Sequence, residues 1–278
     1  MKTISRLLTS ALILLASITT ARAINPQKEY TYTPKDFGIE YIEDSVVTSD
    51  GYRINIWNLP GTEENGRSVL IACADAGNMG QWLGIGATLC FLGYDVWIFD
   101  YRGFGGSQDF ATDRDMLYHS EYLRDFEAVL EHVAVLRDRP VDMLAFSMGT
   151  IMVGEHLRQY PGRKSLIRSC IMDGFISDPA ESVRILNKGN DNGSGSDGKS
   201  VQLPATPLLS PGFRPEDISV PMLLIHATED TVSPRRLLEP LTTSSLVTLR
   251  EFDCKHLQAA FTHTEEYFTA LDTFLKAH

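Results

Sequence analysis

The chain has 278 residues, a formal net charge of −11, 43% hydrophobic residues and 22% charged residues. That composition is ordinary for a globular protein and excludes a low-complexity or collagen-like chain. The acidic balance disfavours nucleic acid or an anionic membrane surface as partner, and no repeat and no run rich in lysine or arginine offsets it.

The first segment reads as a targeting signal. Lys2 and Arg6 give a positive start, residues 7–18 are mostly apolar, and Ala21-Arg22-Ala23 offers small residues at the two positions a signal peptidase reads. The reading is a secretory signal over residues 1–23 with Ile24 as mature start, hence a periplasmic or extracellular protein. The competing reading is a membrane anchor, for which the apolar stretch is short against the roughly 20 residues a bilayer needs. The first cysteine is Cys73, so no lipid-modified cysteine sits at the mature start. The expectation is a protein with no stable membrane anchor after cleavage. Residues 24–278 have the length of one large α/β domain. Cys73 ends a strand, Cys90 lies in a helix, Cys170 in another strand and Cys254 near a late loop. Buried free thiols are the simpler reading, with one bridge left open.

In chain order, residues 38–48 and 52–59 read as strands joined by the turn Ser49-Asp50-Gly51, a hairpin. Residues 63–66 are a polar loop. Residues 69–74 are an apolar strand, as in the middle of a parallel sheet. Residues 82–92 read as a helix ending at Gly93, and 95–99 as the next buried strand. Residues 121–136 form an amphipathic helix, with Leu123, Phe126, Val129, Leu130 and Val133 on one face. Pro140 stops it before the strand 141–146. Then come a helix at 148–160 and a strand at 169–172. Residues 177–220 differ: 188–198 are low in complexity and read as a mobile loop, followed by Pro204, Pro207, Pro211 and Pro215. Order returns with a strand at 222–227, a helix at 234–241, a strand at 246–252 and a final helix at about 257–276. Strands alternating with helices after an opening hairpin predict a mostly parallel sheet with helices on both faces. Chemistry in such sheets gathers at the carboxyl ends of the strands.

Ser147 stands at one of those ends, in Ala145-Phe146-Ser147-Met148-Gly149, between a strand and a helix. Small residues two before and two after allow the sharp turn that exposes a nucleophilic serine. A serine needs a base, and the base needs a carboxylate to hold its tautomer. Asp230 follows the strand 222–227 and His256 follows the last strand. Glu229 competes with Asp230. His226 lies within a strand, His119 and His132 before and within a helix, His156 in the helix after Ser147, and His263 and His278 in or beyond the last helix.

With Ser147, Asp230 and His256 in that order, the chain resembles the α/β-hydrolase superfamily, and within it the serine aminopeptidase-like (S33-like) and small-lid esterase group. The resemblance covers nearly the whole of residues 24–278. Residues 100–107, Asp-Tyr-Arg-Gly-Phe-Gly-Gly-Ser, are similar to that group's D-x-R-G-x-G-x-S loop, and residues 227–232 to its segment bearing the catalytic acid. It implies an eight-stranded, mostly parallel sheet with an N-terminal antiparallel hairpin and a small lid at about 177–220. It implies Ser147 as nucleophile, His256 as base and Asp230 as acid. It also implies an oxyanion hole made of the backbone N–H groups of Met148 and Asp75. Here the sequence departs from the family pattern, because Cys73-Ala74 stands where His-Gly is common. A carboxylate at 75 opposes a developing negative charge if it points inward, so Asp75 is expected to turn away or to bond its own loop.

No zinc-binding, phosphate-binding or dinucleotide motif is present, so no cofactor and no metal are expected. The functional expectation is a secreted serine hydrolase that cleaves carboxylic esters of a small-molecule or acylated substrate through an acyl-enzyme. A peptidase or amidase, and an acyltransferase, are the alternatives on the same fold. A non-catalytic binding module is the alternative of another class.

Overall fold

The computed structural model describes residues 23–61, 66–160, 165–191, 201–202 and 212–278. The signal read over residues 1–23 therefore lies outside the described residues except for Ala23. So do residues 63–65 of the polar loop and much of the expected lid.

Eight strands form one sheet: β1 (Ile42–Val47), β2 (Arg53–Leu59), β3 (Ser68–Ala72), β4 (Asp95–Phe99), β5 (Val141–Phe146), β6 (Ile167–Asp173), β7 (Met222–Ala227) and β8 (Val247–Phe252). Their order across the sheet is β8-β7-β6-β5-β3-β4-β2-β1. β2 runs antiparallel to both β1 and β4, and every other pairing is parallel. The hairpin turns where expected, with Gly51 at φ 90°, a conformation glycine adopts without a Cβ clash. The chain passes from β3 to β4 on one side and later to β5 on the other. The carboxyl ends of β3 and β5 thus flank a switch point, where open α/β sheets form their crevice.

Alternation along the strands feeds two cores. Leu70, Met143 and Leu224 face a cluster completed by Phe126, Val129 and Leu130 of α2 (His119–Arg137) and Met152 and Val153 of α3 (Met148–Gln159). Ile71, Leu144 and Ile225 face the other, with α1 (Leu83–Phe91) and α6 (Thr264–Ala277). Residues 83–90 of α1 are all buried, as a helix apolar on every side requires.

Several expectations are corrected. The helix expected at 234–241 is two short 3-10 turns, Arg235–Leu237 and Glu239–Thr243, because Pro240 has no N–H to give an α-helical ladder. The final helix is two pieces, α5 (Ala259–Thr262) and α6, broken at His263. Around the break, the hydroxyls of Thr262 and Thr264 donate to the carbonyls of Gln258 and Ala260, which competes with the helical ladder. It also cannot begin at Leu257, whose φ is 59°. Residues 188–191 are not loop but the end of α4 (Pro179–Asp191); the rest of the low-complexity run lies outside the described residues. β3 stops at Ala72, so Cys73 and Ala74 already belong to the loop that follows. A small ladder was not foreseen: Asn25–Pro26 pairs in parallel with Ala76–Gly77. All four cysteines are free and buried.

Candidate active site

The turn at Ser147 is as sharp as its neighbours suggest. Ser147 has φ 45° and ψ −110°, a conformation costly for a residue with a Cβ. Ser147 N–H donates to the Asp173 carbonyl at 3.0 Å, which ties the turn to the end of β6. A Cβ at Gly149 would run into the carbonyl oxygens of Ala72 and Cys73, so only glycine lets α3 start this close to β3.

Three of the expected site residues meet over this turn. His256 Nε2 lies 2.9 Å from Ser147 Oγ, and His256 Nδ1 lies 2.7 Å from Asp230 Oδ2. Asp230 Oδ1 accepts from the N–H groups of Val232 and Ser233, both at 2.8 Å. Glu229 is exposed and Asp230 buried, so position rather than residue type separates the two acids. The other histidines lie elsewhere. His226 faces Glu251, His132 pairs with Asp44, His156 with Glu127, and His263 approaches the Asp253 carbonyl. His119 contacts Ser120.

Charges around the ring favour its protonated form. Burial pushes the His256 pKa down, but the hydrogen bond and charge of Asp230, then the charges of Asp173 and Asp75, outweigh it and raise it above the ordinary value. For Asp230 burial pushes up, while the His256 hydrogen bond and charge and the two amides hold the carboxyl below its usual range. Asp173, at the end of β6, is pushed up to about 7 by burial, although Tyr267 OH donates to it at 2.9 Å.

Asp75 and Met148 line the same pocket as Ser147. Met148 opens α3, so its N–H is among the helix's first amides, at the positive end of the dipole. The Asp75 carboxyl does bond its own loop, lying against its own N–H. It does not turn away: it is close enough to His256 to raise that ring's basicity, and burial raises the carboxyl's own pKa. Of the two arrangements expected for this residue, the bond to its own loop is the one found.

The pocket above Ser147 has a volume of about 240 Å³. Its apolar lining includes Leu117, Ile151, Ile176, Val183, Leu186 and Val201, and its polar lining includes Asn25, Gln27, Asp75 and Gln81. Among the described residues, no group of three His, Cys, Asp or Glu side chains is placed to hold a metal ion.

The glycine-rich loop after β4 serves this site from outside. Asp100 Oδ1 accepts from Met79 N–H at 2.7 Å, pinning the segment that follows Asp75, and its other oxygen accepts from Gly106 N–H and from Tyr30 OH. Arg102 lies over the Tyr52 ring at 4.1 Å and bonds Asp50 and Asp125. Sequence reading missed Tyr30 and Gly174. A Cβ at Gly174 would stand 2.5 Å from His256 Cε1, and its only signal was a glycine directly after a strand.

This sheet order, with an elbow serine at the switch point, decides the fold. The chain is an α/β-hydrolase by fold. A family model described as the alpha/beta hydrolase fold matches residues 69–192. Of solved structures, the Pyrococcus furiosus esterase Pf2001 superposes with a TM-score of 0.72 at 19% identity, over 91% of this chain and 97% of that one. An esterase from Exiguobacterium antarcticum superposes with a TM-score of 0.63 at 18% identity, over 84% of this chain and all of that one. The uncharacterized membrane protein YNL320W of Saccharomyces cerevisiae is 26% identical over 144 residues, 47% of this chain and 48% of that protein. That match spans about half the length of this curated relative. Among the described residues, no helix of this chain is long and apolar enough to cross a membrane.

Proposed function

We propose that the protein is a serine hydrolase acting on carboxylic esters of small acyl groups. The observation that carries the reading is the hydrogen-bonded series Ser147, His256, Asp230 at the floor of a pocket. In this scheme His256 Nε2 takes the Ser147 proton as Oγ attacks the ester carbonyl, and Asp230 stabilises the imidazolium. The Met148 and Asp75 amides receive the negative oxygen. The imidazolium then protonates the leaving alcohol, and water activated by the same ring releases the acid. The volume of about 240 Å³ lies below the usual range for drug-sized ligands, which favours short acyl chains. The esterases among the solved structures of this fold point the same way. Export is part of the proposal: residues 1–23 act as a cleaved signal, and N-terminal sequencing of the exported protein should begin at Ile24.

Hydrolysis of short p-nitrophenyl esters and labelling by a fluorophosphonate probe test the reading. Ser147→Ala should lower kcat by roughly a millionfold and abolish labelling. The Asp75 carboxyl beside the oxyanion position favours a second reading, a binding module without turnover. A wild-type chain that neither hydrolyses the esters nor takes the probe would decide for that reading.

A further inference from the structure

The segment directly after the expected signal is built into the candidate site. Ile24 is fully buried in the core to which α2 contributes, and Asn25 and Gln27 line the pocket. Asn25 N–H donates to the Asp75 carbonyl at 2.8 Å, and Gln27 N–H donates to the Gly77 carbonyl at 2.9 Å. Ile24 N–H donates to the Arg114 carbonyl at 3.1 Å, and the Arg114 side chain donates to Asn25 Oδ1. The Gln27 carbonyl accepts from Gly105 N–H at 2.9 Å and from Asn78 Nδ2 at 3.2 Å. Residues 24–27 are therefore clamped on three sides: by the loop after β3, by the glycine-rich loop and by the segment before α2.

The far end of the loop they hold is pinned by the bond from Met79 N–H to Asp100, and its near end lies outside the main sheet. β3 has ended at Ala72, and Gly77 sits at φ 80°, a conformation glycine adopts without a Cβ clash. Without the strap, the carbonyls of Asp75 and Gly77 would have no ladder partner at the rim of the pocket. Held by it, the Asp75 backbone keeps one orientation relative to Ser147. An oxyanion donor works only if it is aimed before the charge develops.

We infer that residues 24–27 are a positioning strap for the oxyanion hole, acting through the Asn25–Asp75 and Gln27–Gly77 backbone bonds. The inference rests on the hydrolase reading of the same site. Its contribution belongs to the transition state, because the bonds fix a donor that the ground-state ester needs little. Displacing a catalytic group by about 1 Å can cost on the order of a hundredfold.

The test replaces the donors while keeping the full chain. Asn25→Pro and Gln27→Pro each remove one strap N–H. Each should lower kcat by roughly ten- to a hundredfold and weaken a boronic acid that mimics the tetrahedral adduct by a similar factor. Binding of the intact ester, measured in the Ser147→Ala background, should stay within about threefold, as expected when only transition-state binding is lost. Two outcomes would overturn the strap. Both proline variants could retain wild-type kcat, or ester and boronate affinity could fall together with the thermal midpoint. A wild-type chain that takes no fluorophosphonate removes the hydrolase reading and the strap with it. A labelled wild type with undiminished proline variants removes the strap alone.

Discussion

At the scale of single residues, Asp75 is the unusual member of the site. In the proposed scheme its N–H receives a negative oxygen, while its carboxyl adds negative charge beside His256. Asp75→Asn keeps the N–H and removes the charge. Where Asp75 is ionised, the variant should raise kcat about three- to tenfold, as expected from roughly 1 kcal/mol between partly screened charges. His256 must be neutral to act as base, so the rate rises with pH through its pKa, above the ordinary histidine value. Losing a negative neighbour lowers that pKa, so the rising limb should move toward acid. A pH profile of kcat/KM for both proteins checks the sign. Ser147, Asp230 and His256 were legible because each follows a strand at the same sheet edge. The direction of the Asp75 carboxyl was not, because it depends on the backbone path of a loop rather than on any periodicity.

At the scale of elements, the junction of β5 and α3 is the most constrained. Gly149→Ala would drive a methyl into the Ala72 and Cys73 carbonyls, both backbone and unable to yield cheaply. The expected cost is about 1–3 kcal/mol of stability, read as a lower urea midpoint, with a loss of kcat as Ser147 is displaced. An unchanged urea midpoint would mean the helix start can shift. Most strands and long helices were legible from alternation and from helical period. The final helix read as continuous because its apolar period runs through His263; hydroxyl-to-carbonyl bonds at Thr262 and Thr264 leave that period intact. The Asn25–Pro26 ladder was illegible for another reason. Two residues have no period, and their partners lie about fifty positions away.

At the scale of the whole molecule, burial of acids gives stability a direction in pH. Asp100 and Asp125 are pushed up to about 6 and Asp173 to about 7, chiefly by burial. An unfolded aspartate titrates near 3.9. These groups hold protons more tightly in the folded state, so their favourable contribution is complete below about pH 4 and declines as pH rises to about 7. His256, raised by Asp230, Asp173 and Asp75, acts with the same sign across its own titration. The thermal midpoint should therefore fall between about pH 4 and 7, and Asp173→Asn should flatten the upper part of that fall. A wild-type midpoint that rises across this range would contradict the assignment.

The neighbouring positions of β3 and β5 in the sheet act as a ruler. Ala72 and Ala145 are register partners, and Asp75 and Met148 each stand three residues past them. The two segments thus leave the sheet from hydrogen-bonded neighbours, about 4.8 Å apart. Side chains at 73–75 can change, as Cys73-Ala74-Asp75 does here, without moving that point of departure. Past it the course of the loop is left to its own contacts, among them the bonds from Asn25 and Gln27.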